Sequence, residues 1–357
     1  MLDMLIDLKK LGRMVDQDGP LKDLVQFETL TEIAYKNESF PIYSFTIGSQ
    51  DPEHPTLFMT GGIHGLERVG AQLAWSLLKT TLDRLVWDKS LQELFKNIRL
   101  VVIPLVNPVG YYKFKRSNGN DVDLMRNSPV RAIDKTPFLL GGHRFSKKLP
   151  WYQGNLNVLE EENKALYSKF FQTCRQSKCV IAIDFHSGFG MKDRLWFPFS
   201  YTKKPFELIP EMDAFTTLFE DTHPYHIYKI EPQSKGYLLN GDIWDYIFLE
   251  LKAINPESIF LPVTLEMGSW TWVRKNPLQL FSKQGIFNPI KAHRLKRTYR
   301  RHHLLFDFLL KAIRSHSVWS ELDPAKRQKH FSSGMDRWYE NSERPLLNNK
   351  GSLKLFT

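Results

Sequence analysis

The chain has 357 residues, room for one large domain or two modest ones, and at 42% hydrophobic and 13% aromatic it can bury a sizeable core. A charged fraction of 25% excludes a disordered chain. The net charge of +10 favours an acidic partner without choosing among nucleic acid, an anionic surface and an anionic substrate.

The chain opens "MLDMLIDLKKLGRMVDQDG", where charged and apolar residues alternate. Residues 1–35 are read as a helical segment packed on the domain. This opening has no apolar run of signal-peptide length, and no window approaches the roughly 18 apolar residues of a membrane span. No membrane association is expected, and the expected location is cytoplasmic.

Residues 36–330 are read as one catalytic domain. Its first strand signals are "PIYSFTIG" (41–48) and "TLFMTGG" (56–62), followed by helical periodicity over about 67–83. A buried strand follows, "IRLVVIPL" (98–105). The stretch 106–158 is irregular and longer than a connector needs, which points to function. Helical spacing returns at about 159–175, then the strands "CVIAIDF" (179–185) and "RLWFPF" (194–199), a helix at about 205–220 and the strand "IFLPVTLEM" (259–267). Several of these runs are near-continuously apolar, as in central strands covered on both faces. Strand–helix alternation predicts an α/β fold: a mixed, mostly parallel sheet with helices on both faces. The basic segment 291–316 reads as an amphipathic helix whose basic face is solvated. Residues 331–357 show no clear period and are expected to form a surface tail, partly disordered. Two cysteines, Cys174 and Cys179, are too few for a disulfide framework and read as thiols near a helix end and a strand start.

In "MTGGIHGLERVG" (59–70), a strand ends in Gly-Gly before His64, with Glu67 three residues on. Ligand sites of α/β sheets gather at such carboxyl edges, and this spacing lets an imidazole and a carboxylate converge on a divalent metal. His-x-x-Glu alone is a weak signal, since a strand-terminal histidine and a helix-initiating glutamate explain it as well. His186, in "IAIDFHSGFG", ends another buried strand and supplies a third donor. Two imidazoles and one carboxylate leave a fourth position open, the mark of a catalytic zinc. Glu266 lies near the end of the strand "IFLPVTLEM". A buried carboxylate there is costly unless paired or functional, and it is the candidate general base.

The ordered set His64-Gly-x-Glu67, "RSNGNDVDLMRN" (116–127), His186 followed by Ser187, and Glu266 resembles the M14 (carboxypeptidase A-like) zinc metallocarboxypeptidases over roughly 40–315. The resemblance implies one Zn2+ per chain and hydrolysis of the C-terminal peptide bond of a peptide. It implies that Arg116 polarises the carbonyl and stabilises the oxyanion, and that Arg126 pairs with the substrate's terminal carboxylate. It also implies that Asp123 orients a ligating histidine, His64 being the candidate. Substrate contacts are implied at Ser187, at Tyr237 as the mobile tyrosine in "KGYLLNGDIWDY" (235–246), and at Asp242, which would favour a basic side chain. Two departures stand out. Trp-Asp replaces the family's usual Asp-Trp near 244–245, and Met125 stands where the family pattern has an asparagine that helps hold the terminal carboxylate.

Two other readings remain open. One is a zinc amidohydrolase resembling the aspartoacylase and succinylglutamate desuccinylase branch, acting on small N-acyl amino acids. The other is a basic binding module with a degenerate site. The positive charge suits an acidic peptide substrate; nucleic acid is not the expected partner.

Overall fold

Eight strands hydrogen-bond into one sheet in the order β1-β2-β4-β3-β5-β8-β6-β7. They are β1 (Val25–Tyr35), β2 (Glu38–Gly48), β3 (Thr56–Gly61), β4 (Arg99–Ile103), β5 (Cys179–Ser187), β6 (Arg194–Phe197), β7 (Lys229–Pro232) and β8 (Ile259–Met267). The structure is a computed structural model and describes residues 3–16, 21–188, 190–282 and 284–339. Among these, the helices are α1 (Asp3–Asp16), α2 (Arg68–Leu85), α3 (Lys89–Phe95), α4 (Pro108–Lys113), α5 (Glu161–Cys174), α6 (Ile209–Thr222), α7 (Ile243–Ile254), α8 (Trp270–Lys275), α9 (Ala292–Arg314), α10 (Ser317–Ser320) and α11 (Pro324–Trp338). No described helix is long and apolar enough to cross a membrane.

The central strands β4, β3, β5 and β8 run parallel, with antiparallel pairs outside them at β1/β2, β2/β4 and β8/β6. This is the predicted mixed, mostly parallel sheet. Its inner strands are apolar because helices cover both faces. On one face Phe58 of β3 and Phe260 of β8 pack on Phe170 of α5, with ring centroids 5.3 and 5.0 Å apart, and Trp244 of α7 closes the cluster. On the other, Gly61 of β3 meets Gly70, Ala71 and Ala74 of α2, and a Cβ at Gly70 would lie 2.2 Å from the Phe185 carbonyl oxygen of β5. Glycine there lets the first turn of α2 sit directly on the carboxyl end of β5.

Both cysteines are free and buried, at the end of α5 and the start of β5. The N-terminal segment differs from its reading. Only α1 is helical, and residues 25–35 form edge strand β1, paired with β2 along nearly its whole length. The sequence "VQFETLTEIAY" carries enough β-branched and aromatic residues to satisfy a half-exposed edge strand. The boundary at 330 also moves. Residues 331–338 continue α11, whose Phe331, Met335 and Trp338 are buried. Glu211 and Asp213 of α6 pair with Arg327 and His330 of α11, and Trp338 stacks edge-on to Phe197 at 4.7 Å. The remainder of the expected tail, 340–357, lies outside the described residues.

The seating of α2 on β5 is open to test. Gly70→Ala is expected to cost about 1–3 kcal/mol through overpacking, read as a lower denaturant midpoint at unchanged slope. An unchanged midpoint contradicts the close approach.

Candidate metal centre and cleft

A cleft of about 490 Å³ opens at the carboxyl edge of the parallel strands and is lined by His64, Glu67, Arg116, Arg126, His186 and Glu266 among others. Chain direction explains the placement. Gly62, at φ +65°, turns the chain out of β3 so that His64 hangs over the sheet edge. A Cβ at Gly65 would lie 2.0 Å from the Gly110 carbonyl carbon, so this loop is pressed onto α4. Glu67 is the N-terminal cap residue of α2, yet its carboxylate makes no capping bond. It turns instead to the sheet, where its Oε2 accepts from the Ser187 backbone N–H at 2.9 Å.

The histidines are aimed from behind. His64 Nε2 lies 3.0 Å from Asp123 Oδ1, and His186 Nε2 lies 2.7 Å from Asp184 Oδ2. Each carboxylate fixes its ring with the proton on Nε2. Both Nδ1 lone pairs therefore face inward, 3.1 Å apart, and Glu67 adds its oxygens at 2.9 Å from His64 Nδ1 and 3.1 Å from His186 Nδ1. Three buried acceptors thus face one another, their ligand atoms all within 4.8 Å. No hydrogen-bond pattern among neutral imidazoles and a carboxylate satisfies that arrangement, whereas a divalent cation does.

The arginines extend the charge network. Arg116 donates from Nε to Asp123 Oδ2 at 2.8 Å and from Nη1 to Glu67 Oε1 at 3.2 Å. Burial works against its charge; Asp123 and Glu67 more than offset it, so Arg116 stays protonated. Its side chain keeps 23% exposure on the cleft side. Arg126 is 1% exposed. Its Nε donates to the Leu140 carbonyl at 3.0 Å and its Nη1 lies 3.6 Å from Asp123, while Nη2 is buried and has no hydrogen-bond partner among the described residues. Burial would raise the Asp123 carboxyl, but Arg116, Arg126 and His64 together hold it far below its ordinary value.

Glu266 pairs in register with His186 across β5 and β8, so both side chains project from the same face of the sheet. A Cβ at Gly188 would sit 4.0 Å from Glu266 Oε1 and 2.7 Å from Phe287, so glycine keeps that approach clear. Ser187 lines the cleft, but its hydroxyl donates to the Phe287 carbonyl at 2.7 Å. Met125 forms an apolar part of the wall beside Arg126. Tyr237 lines the cleft near Arg116, edge-on to Trp196 at 6.3 Å. Asp242 also lines it, with one oxygen committed to capping α7 through the Trp244 and Asp245 N–H groups at 2.8 and 2.9 Å.

All ten residues singled out in the sequence thus lie in or directly behind one cleft. Two neighbours, Asp184 and Thr60, were missed, and Trp244 and Asp245, noted only as a departure from the family pattern, had been given no role. Asp184 orients His186 and is itself held by Thr60 Oγ1 at 2.9 Å and Trp244 Nε1 at 3.0 Å. Its signal was present: in a strand, residue i−2 shares the face of residue i. Thr60 carried no comparable signal. Asp245, also lining the cleft, accepts three hydrogen bonds on Oδ2 from Ser200 and Tyr201, and burial with the nearby Asp242 lifts its pKa to about 8.

Comparison with known proteins bears on the family and the fold. The sequence model described as zinc carboxypeptidase matches residues 26–268. Carboxypeptidase SOL1 of Arabidopsis thaliana is 30% identical over 291 residues, covering 78% of this chain and 55% of that protein. Human carboxypeptidase D is 31% identical over 98 residues, 25% of this chain and 7% of that one. The chain therefore spans about half the length of the first relative and a small part of the second. Among solved structures, thrombin activatable fibrinolysis inhibitor superposes with a TM-score of 0.63 at 19% identity, over 87% of this chain and 72% of that one. Carboxypeptidase A from Helicoverpa armigera gives 0.62 at 15% identity, over 87% and 71%. These two likenesses concern the fold.

If Asp184 aims His186, Asp184→Ala should weaken zinc binding about 10–100-fold in chelator competition. Unchanged affinity would remove Asp184 from the centre's support.

Proposed function

We infer the function from the premise that this chain belongs to the zinc carboxypeptidase family, whose sequence model covers residues 26–268. We propose a metallocarboxypeptidase that hydrolyses the C-terminal peptide bond of a peptide, with one zinc per chain held by His64, Glu67 and His186. One juxtaposition carries the reading: three inward-facing acceptors share a cleft with a buried guanidinium, Arg126, that has an unpartnered Nη2.

When bound there, zinc supplies Lewis acidity, easing deprotonation of a water and polarising a carbonyl. The chain's own residues do the rest. Glu266, on the same face as His186, accepts the proton of the attacking water and returns it to the leaving amine. Arg116 is anchored through Nε and Nη1, which presents the rest of its planar fork to the oxygen that gains charge. Arg126 receives the terminal carboxylate: a buried donor without a partner gains a charge-assisted bond when substrate arrives. Met125 leaves that anchor without the amide of the family pattern, so more of the carboxylate's hold falls to Arg126. Tyr237 closes the cleft beside Arg116. Asp242 places a carboxyl group on the cleft wall, favouring a basic terminal side chain, although one of its oxygens is already used in capping.

Glu266→Gln is expected to retain zinc and lose at least about 100-fold in kcat. Full turnover in that variant would sink the base assignment. A substrate panel tests the activity itself: peptides with free C-termini should be cleaved, their C-terminal amides should not, and N-acyl amino acids should be poor substrates. Preferential cleavage of the N-acyl amino acids would move the chain to the amidohydrolase reading. Arg126→Met should raise KM for free-carboxylate peptides by at least about tenfold, the worth of one charge-assisted bond. An unchanged KM would place the carboxylate elsewhere.

A further inference from the structure

A second cavity of about 430 Å³ lies in the long loop, lined by Arg131, Lys135, Phe138, Arg144 and Gln153 among others. It stands back to back with the main cleft, separated at Gly142. A Cβ on Gly142 would lie 3.3 Å from Arg126 Cδ on one side and 3.0 Å from Gln153 Nε2 on the other. The surrounding sequence is one-sided in charge: residues 128–158 hold five Lys or Arg and a single acidic residue, Asp134.

Within the cavity two guanidiniums converge on one neutral acceptor. Arg144 Nη1 donates to Gln153 Oε1 at 2.7 Å, and Arg131 Nη1 donates to the same oxygen at 3.3 Å. These two donors fix the amide's orientation, so Gln153 Nε2 is a donor as well. Gln153 is 1% exposed, and among the described residues its Nε2 has no partner; Arg144 Nε is likewise buried and unpartnered there. Among the described residues neither guanidinium has a carboxylate within 4.0 Å. Both ring nitrogens of His143 are engaged elsewhere: Nε2 lies 2.8 Å from the Pro150 carbonyl and Nδ1 accepts from the Phe145 N–H at 3.2 Å. Burial, and then the neighbouring Arg131, pull the pKa of Arg144 below its ordinary value, the signature of a cation held without compensation. A buried donor left without an acceptor costs about 1–3 kcal/mol. Two such donors beside two uncompensated cations describe a pocket built for an acceptor that carries negative charge.

We propose that Arg131, Arg144 and Gln153 form an oxyanion-binding pocket, separate from the cleft, for a carboxylate or phosphate group. Lys135 adds positive charge, and the exposed rings of Phe138 and Phe145, 6.2 Å apart, give the rim an apolar flank for the stem that bears the anion. The pocket stands on its own donors and does not depend on the reaction in the cleft. Its wall lies close to the cleft's machinery: a Cβ on Gly142 would meet Arg126 Cδ at 3.3 Å, and the Leu140 carbonyl nearby on the same loop accepts from Arg126.

The test is calorimetric titration of the zinc-loaded protein with inorganic phosphate at constant ionic strength. Saturable binding at about 1 mM or tighter is expected. It should weaken at least tenfold in Arg131→Gln and in Arg144→Gln, and stay unchanged in Lys147→Gln on the same loop. Arg131 is exposed, so its variant keeps the experiment decisive even if Arg144→Gln folds poorly. Absent binding, or binding indifferent to Arg131, overturns the proposal, because phosphate held in the main cleft would survive that change. The source of the anion follows from competition. Displacement of phosphate by a glutamate-rich peptide, dependent on Arg131, identifies a carboxylate carried by a peptide; resistance to displacement assigns the pocket to a free anion.

Discussion

The inward-facing lone pairs of His64 and His186 are the constraint on which the rest of the site depends. Each imidazole carries its proton on the outer nitrogen because a buried carboxylate, Asp123 or Asp184, sits behind it. That leaves two acceptors 3.1 Å apart, with Glu67 beside both. The arrangement requires three chain segments to meet within a hydrogen bond's length. The parallel sheet supplies two of them, the carboxyl ends of β3 and β5. The glycine contact of α2 on β5 supplies the third by bringing Glu67 to the Ser187 N–H.

Charge accounting explains why the loop at 116–126 is bound so tightly to this centre. Glu67, Asp123 and Asp184 are buried carboxylates, and Arg116 and Arg126 answer them, which leaves one negative charge before any cation binds. Glu266 adds a further carboxylate to the cleft, so a divalent cation brings these groups to neutrality, and the unpartnered Nη2 of Arg126 is left as the donor for an anionic chain end. Buried ion pairs contribute little net stability once desolvation is counted, and their use here is orientation. Asp123 shows this: one oxygen meets His64 and the other Arg116, so a single side chain sets the angle of both the proposed ligand and the proposed oxyanion donor.

Much of this was legible in the sequence, because the relevant signals are local. The apolar runs at 98–105, 179–185 and 259–267 became β4, β5 and β8, and Gly-Gly before His64 marked a strand end. The site residues could be named because they stand at strand ends or in one polar block. What escaped notice has physical reasons. Strand β1 is half exposed and joined to β2 by a two-residue turn, so its signal is a hairpin pattern rather than an apolar run. Helix α11 is polar on most of its surface and is held by α6 through Glu211 and Asp213, so its period is weak in isolation. Thr60 and Trp244 support His186 only at one remove, through Asp184, and nothing in their own neighbourhoods announces it.

The claim on which the account rests is that His64, Glu67 and His186 together hold a zinc ion at the floor of the cleft. Anomalous diffraction at the zinc edge from crystals of the loaded protein tests it most directly. One strong peak per chain is expected, about 2.0–2.2 Å from both Nδ1 atoms and a Glu67 oxygen, with Asp123 and Asp184 still on the Nε2 atoms. A peak bound through either Nε2, or none between these three side chains at full zinc loading, would contradict it.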